Sequence, residues 1–270
     1  LIETQHYHAH AAALKIDRGV DGLLTCMTWD GTGYGDDGTS WGGESMVADF
    51  SGYERFGTLQ GIPLLGGDRA VTDPKRVVTA VELMSGLQPS MVDGEAADLY
   101  TKMLPKSVRA SSMGRVLDAV SCVLGICCKR TYEGEPAIKL ERWLEMGRPG
   151  TGFDLSFERA GKLEVAQTVP MLSQLLELGA ESERERADAA ASFVRTLVTG
   201  LADRACDRAS SEGLRQVGLT GGVSFSGPIT AWVKESVEKR GLEFVGHERI
   251  PNGDGGVSTG QNAIAGAHLG

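Results

Sequence analysis

The sequence predicts an α/β fold, and three observations carry the prediction. A strand–helix–strand succession runs over 215–245, the order that builds a mostly parallel sheet with a crossover helix on one face. Two apolar segments, 23–29 and 44–50, flank a glycine-rich turn and read as a β-hairpin. The 37 glycines, about twice what a usage of roughly 7% would give, gather at 31–43, 217–227 and 253–260, between the segments that read as strands and helices. Glycine placed there makes tight turns or lets backbone approach a ligand.

Taken in order, the chain first presents His6-Tyr7-His8-Ala9-His10, ahead of the helix-favouring run Ala11-Ala12-Ala13-Leu14. If the helix includes them, His6 and His10 are i,i+4 neighbours on one face and His8 points away. Two imidazoles so spaced suit a divalent transition metal, which would need carboxylates from elsewhere. Asp30, ending a predicted strand, and Asp254, in the Pro-Asn-Gly-Asp-Gly-Gly turn at 251–256, are the candidates, since sites of α/β folds gather at element ends. On the residues alone, an exposed histidine pair and two turn aspartates read equally well.

The hairpin turn runs Asp30-Gly31-Thr32-Gly33-Tyr34-Gly35. Without a following helix it is no dinucleotide fingerprint, and it lacks the Gly-Lys-Ser/Thr ending of a phosphate-binding loop. Its backbone N–H groups at Gly31, Gly33 and Gly35 can still form an anion nest. Residues 63–113 read as helical with loops. Over 113–124, Met113, Val116, Leu117, Val120, Val123 and Leu124 share one helical stripe, and Asp118 projects nearly opposite, which predicts that it faces solvent or a cleft. A tight turn follows around Gly134. The charged run at 181–186 is a solvated helix start, and the stripe Ala190, Phe193, Val194, Leu197, Val198, Leu201, Ala205 is that helix's buried face. The strand at 215–219 ends in Thr220-Gly221-Gly222-Val223, where a flat ligand can lie on bare backbone and the next helix start favours anions. A helix over 229–239 and a strand over 242–245 complete the unit.

Composition narrows the function. Hydrophobic residues at 41% and a mean hydropathy of −0.13 describe an ordinary globule, and no apolar run reaches the roughly 20 residues of a bilayer span. The first residues carry no basic start or apolar core of a signal peptide, so the expected location is cytoplasmic. A formal charge of −9 disfavours a broad nucleic-acid footprint. The five cysteines include no Cys-x-x-Cys pair and read as reduced thiols, mostly in the core. No Gly-x-Ser-x-Gly elbow points to a serine hydrolase.

Six motifs in order resemble a known family: QHYHAH at 5–10, WDGTGYGDDGTSWGGE at 29–44, SSMGRVLDAVSCVLGI at 111–126, YEGEPAIKLE at 132–141, LTGGVSFS at 219–226 and PNGDGGVSTGQ at 251–261. Together they resemble the C-terminal carbamoyltransferase domain of HypF, which matures nickel–iron hydrogenases, and more distantly TobZ-type carbamoyltransferases and TsaD-type tRNA threonylcarbamoyltransferases. The resemblance implies an actin/Hsp70/sugar-kinase-like (ASKHA) fold of two lobes: residues 1–110 a partial N-terminal lobe bearing the histidines, and 111–270 the nucleotide-binding lobe. It implies that His6, His10, Asp30 and Asp254 surround one divalent ion, with iron, zinc, manganese, nickel and magnesium open. It implies that Asp118 and Gly134 lie at the ribose of an adenine nucleotide, ATP, AMP or carbamoyl-adenylate, and Gly221, Gly222 and Ser226 at its adenine and phosphate side. The acceptor it implies is the C-terminal cysteine of a HypE-like protein, so the nucleophile belongs to the partner.

Three residues depart from the family pattern. Tyr7 stands for a histidine without disturbing the His6–His10 spacing, Ser226 for an asparagine, and Val194 for a histidine. The acylphosphatase-like, zinc-finger and YrdC-like adenylate-forming modules of the whole family protein are absent from this sequence. The first strands of the N-terminal lobe would precede residue 1, so the expectation is a fragment, a processed product or a chain completed by another, with a YrdC-like domain as a further partner. Carbamoyl transfer to a small-molecule hydroxyl or to tRNA, and a non-catalytic metal- and nucleotide-binding relative, are the alternative functions.

Overall fold

A computed structural model describes residues 2–150 and 152–269. Along the chain run α1 (His6–Arg18), β1 (Leu24–Tyr34), β2 (Ser40–Ala48), β3 (Tyr53–Leu59), β4 (Ile62–Pro63), α2 (Arg69–Thr72), α3 (Lys75–Met84), α4 (Gly94–Met103), β5 (Arg109–Ala110) and α5 (Met113–Val123). Then come α6 (Glu135–Met146), β6 (Phe157–Ala160), β7 (Leu163–Ala166), α7 (Thr168–Glu177), α8 (Glu183–Ser211), β8 (Gln216–Thr220), α9 (Gly227–Lys239), β9 (Glu243–Val245) and α10 (Val257–Leu269). The mixed α/β architecture expected from the sequence is present.

The main sheet has the order β6-β7-β3-β2-β1-β8-β9, with β4 and β5 joined at one side. β1 and β2 form the expected antiparallel hairpin, and β1, β8 and β9 run parallel. β3–β7 and β2–β5 are parallel as well, whereas β2–β3, β4–β5 and β6–β7 are antiparallel, so the sheet is mixed and not mostly parallel. Short hairpin connections force antiparallel neighbours, whereas the α9 crossover allows β8 and β9 to run the same way. Strands from before and after residue 110 share this one sheet.

Alternation along β1 sorts the core into two faces. Leu24 and Cys26 pack with Tyr7, Leu14 and Met46 beneath α1. Met27 and Trp29 face the other way, into the larger core built with α5, α7 and α8. α10 lies on α1, and Gly260 lets the two helices close up against the Ala9 carbonyl, where a Cβ would collide. α8 begins with a capping box, Ser182 accepting from the Glu185 N–H at 3.2 Å and Glu185 from the Ser182 N–H at 2.9 Å, and its predicted apolar stripe is fully buried.

The expectation of reduced cysteines needs correction. Cys122 and Cys128 are joined as a disulfide, because just past α5 a left-handed Gly125 folds the chain back on the helix's last turn. Cys26, Cys127 and Cys206 are free and buried. Among the described residues no helix is long and apolar enough to cross a membrane.

Candidate metal centre

The helix that carries the histidines starts early enough to hold both. The Gln5 side chain accepts the Tyr7 N–H at 2.5 Å, which caps the helix just ahead of His6. His6 and His10 therefore share a face, and their rings meet edge to face at 4.7 Å between centroids. His8 turns away, with Nε2 2.7 Å from the Asp49 carbonyl oxygen. Tyr7 is buried and donates its hydroxyl to the Trp41 carbonyl at 2.6 Å, which fixes α1 on the hairpin.

Asp30 stands where the β1–β2 register slips between Trp29 and Gly33. Such an irregularity re-aims side chains at a strand end. The carboxylate accepts the Gly31 N–H at 2.7 Å and reaches toward α1. Asp254 opens the 3-10 turn that leads into α10, and since α10 packs on α1 the turn comes down beside the histidines.

One ligand atom from each of His6, His10, Asp30 and Asp254 can be chosen so that all four lie within 4.8 Å of one another. The Nε2 atoms of His6 and His10 are 3.2 Å apart; Asp30 Oδ2 is 3.5 and 3.3 Å from them, and Asp254 Oδ1 3.5 Å from each. Four ligands about 2.1 Å from an ion at a tetrahedron's centre would stand about 3.4 Å apart, so these separations and the mixed N/O donor set fit one divalent ion. His10 is buried, whereas the Asp254 side chain is 76% exposed, which leaves the centre open on one side. Burial pushes the His10 imidazole down, but hydrogen bonds to Asp254 and Asp30 outweigh it and hold its pKa above the usual value. Burial alone would raise the Asp30 carboxyl; the hydrogen bonds from His10 and His6 bring it far below the ordinary range. The hydrogen bond from His10 also lowers Asp254.

The predicted nucleotide residues distribute around this centre unevenly. Gly221, at φ +92°, brings the turn after β8 against the Trp29 backbone, and a Cβ on Gly222 would come 2.8 Å from Asp30 Oδ1. Gly31 lies under α5, where a Cβ on Gly114 would meet its Cα at 2.8 Å. Gly33 and Gly35 have packing reasons that the sequence hid: side chains there would collide with the Tyr7 ring and the Trp41 indole, and the Gly35 N–H donates to the Thr39 carbonyl at 3.0 Å. Gly134, at φ +72°, turns the chain into α6. Ser226 precedes α9, and its hydroxyl is buried without a hydrogen-bond partner.

Asp118 does not face solvent or a cleft, and that expectation is corrected. All residues from Met113 to Cys122 are buried, because α3, α6, α7 and α8 pack around α5 as well as β1, so the face opposite the apolar stripe is covered too. Asp118 pairs with Arg115 at 2.7 Å. Desolvation raises its pKa, opposed by Arg115 and Arg130. Arg115 itself, which sequence reasoning missed, donates to the Thr32 hydroxyl at 3.0 Å and so ties α5 to the turn after Asp30. Glu44 was also missed. Buried in β2, it accepts from Arg55 at 2.6 Å and Ser111 at 2.5 Å; the one charged residue of that strand was the available signal.

Comparison with known proteins places the chain in a family. A family profile described as "Carbamoyltransferase, Kae1-like Domain, second subdomain" matches residues 26–261. The carbamoyltransferase HypF of Rhizobium leguminosarum bv. viciae is 33% identical over 98% of this chain, and the probable carbamoyltransferase HypF of Methanocaldococcus jannaschii 32% identical over 97%. The chain spans about a third of those relatives, 35% of each, but 70% of a HypF homolog of Cupriavidus necator to which it is 32% identical. A crystal structure of full-length HypF in a phosphate- and nucleotide-bound form superposes with a TM-score of 0.89, at 27% identity, over 99% of this chain and 36% of that one. The HypF of T. kodakarensis gives 0.85, at 29% identity, over 100% of this chain and 37% of that one.

Proposed function

The chain belongs to the HypF family of carbamoyltransferases, and on that premise we propose that it transfers a carbamoyl group from carbamoyl-adenylate to the C-terminal cysteine of a HypE-like protein. The observation that carries the reading is the convergence of two histidines and two aspartates, drawn from both ends of the chain, at separations that suit one ion. His6, His10, Asp30 and Asp254 would hold that ion, iron, zinc, manganese, nickel or magnesium. When bound, it supplies Lewis-acid polarisation of a carbamoyl or phosphate oxygen.

The chain's own groups then have distinct work. In this reading the turn at Gly221 and Gly222, whose bare backbone lies against Trp29 and Asp30, receives the phosphate of the adenylate, and the start of α9 at Ser226 favours its negative charge. Gly134 and the hairpin glycines Gly31, Gly33 and Gly35 border the same face in this reading, and Asp118 acts from beneath by holding Arg115. The partner's thiolate attacks the carbamoyl carbon, the bond from that carbon to the phosphate oxygen breaks, and AMP leaves. The phosphate- and nucleotide-bound form of full-length HypF supports nucleotide binding here.

A formal charge of −9 speaks against tRNA as acceptor, and a small-molecule hydroxyl is the alternative acceptor. The test incubates the chain with carbamoyl-adenylate, a divalent metal and a cysteine-ended peptide, and looks for the thiocarbamate by mass spectrometry. Thiocarbamate that depends on His10 and on metal is the expected result. Intact nucleotide and metal binding with no thiocarbamate would overturn the catalytic reading in favour of a non-catalytic relative.

A further inference from the structure

Two turns beyond His10 on the same helix, Asp17 is buried although it is charged. It accepts the backbone N–H of Glu248 at 2.6 Å and of Arg249 at 3.1 Å, and its Oδ2 lies 3.3 Å from Nδ1 of His247. The other ring nitrogen, His247 Nε2, is 2.8 Å from the Thr220 hydroxyl oxygen. A carboxylate that only accepts assigns the proton to Nδ1, which leaves Nε2 to accept from Thr220.

Carboxylate, imidazole and hydroxyl in a row also form the arrangement that activates a nucleophile. Thr220 is 0% exposed, however, so no substrate carbon can reach its oxygen. The row instead joins three segments that each lead to a metal-centre residue. Asp17 belongs to α1, which carries His6 and His10. Thr220 ends β8, and the two glycines after it touch Trp29 and Asp30. His247 begins the segment that ends in Asp254, and that segment is further tied to the β8 turn by the Gly221 N–H, which donates to the Asn252 carbonyl at 3.0 Å. Asp254 is three-quarters exposed, so its orientation comes from this loop and not from side-chain packing around it.

We propose that the buried row Asp17–His247–Thr220 is the positioning device of the metal centre, setting Asp254 against the imidazoles of His6 and His10. The role rests on the metal-binding reading above. Groups that orient ligands from behind are worth about 10–100-fold in metal affinity, although they never touch the ion.

The probe is Co²⁺ alone, titrated into metal-free chain and followed by visible absorption with a competing chelator. Thr220→Val, which removes one hydroxyl at nearly constant shape, and His247→Gln are each expected to weaken Co²⁺ binding about 10–100-fold. Asp254→Asn weakens it as well, and adding Thr220→Val to Asp254→Asn lowers affinity no further, because the row acts through Asp254. Full-strength binding by Thr220→Val, or losses that add completely in the double variant, would overturn the positioning role while leaving the metal centre standing. No Co²⁺ binding by the unsubstituted chain would overturn the metal centre and this role with it. If His247→Gln does not fold, Thr220→Val and its pairing with Asp254→Asn decide the matter.

Discussion

Replacing His10 by alanine removes the most buried of the four candidate ligands, and the loss can be sized from the site. A structural zinc centre contributes about 10–16 kcal/mol near neutral pH, so one ligand of four carries about 2.5–4 kcal/mol. At about 1.4 kcal/mol per factor of ten, affinity should fall roughly 10²–10³-fold. The control is internal: His8 sits two residues away on the same helix, but its Nε2 is engaged with the Asp49 carbonyl. Competition of metal-free protein against a chromophoric chelator measures both variants, and circular dichroism of the metal-free forms checks that α1 persists. The expected pattern is a large loss for His10→Ala and metal binding within about threefold of the unsubstituted chain, below the 10–100-fold of an orienting group, for His8→Ala. Equal losses in the two variants, or an unchanged metal content in His10→Ala, would refute the assignment of ligands.

Three further outcomes follow from the packing. Burial alone would raise the Asp17 carboxyl, but backbone N–H groups and His247 hold it below its usual value, so its contribution to stability is present above the unfolded value of about 3.9 and is lost as pH falls through the lower folded one. Thermal melts of metal-free protein should therefore drop steeply below about pH 4, and Asp17→Asn should flatten that limb. Gly221→Ala places a Cβ against the Trp29 carbonyl at φ +92°, and should cost about 2 kcal/mol or more, a fall in melting temperature of about 4–8 °C by calorimetry. Phe193→Ala, fully buried and 5.4 Å edge-on to Phe153, should lose about 3–5 kcal/mol in denaturant titrations while Co²⁺ affinity of the folded protein stays unchanged, since Phe193 is none of the four ligands.

Local order was legible in the sequence wherever short-range physics sets it. The i,i+4 spacing of His6 and His10, the charged start and apolar stripe of α8, and the β1–β2 hairpin all depend on neighbours within one or two turns, and they appear as read. The six ordered motifs also sufficed to bring in the family, with Asp30 and Asp254 as companions of the histidines. What tertiary structure decided was contact at a distance. That Asp30 Oδ2 and Asp254 Oδ1 come within 3.3–3.5 Å of the imidazoles depends on where the slipped β1–β2 register aims Asp30 and on the packing of α10 over α1 through Gly260, and both are set by partners far along the chain from the aspartate they place. The wheel that put Asp118 opposite the apolar stripe was right about direction and silent about what covers that direction. The cysteine count, likewise, could not see a left-handed turn at Gly125 bringing Cys128 back to Cys122. A sequence fixes which face a residue takes on its own element; which other element arrives at that face is set by the packing of the whole core.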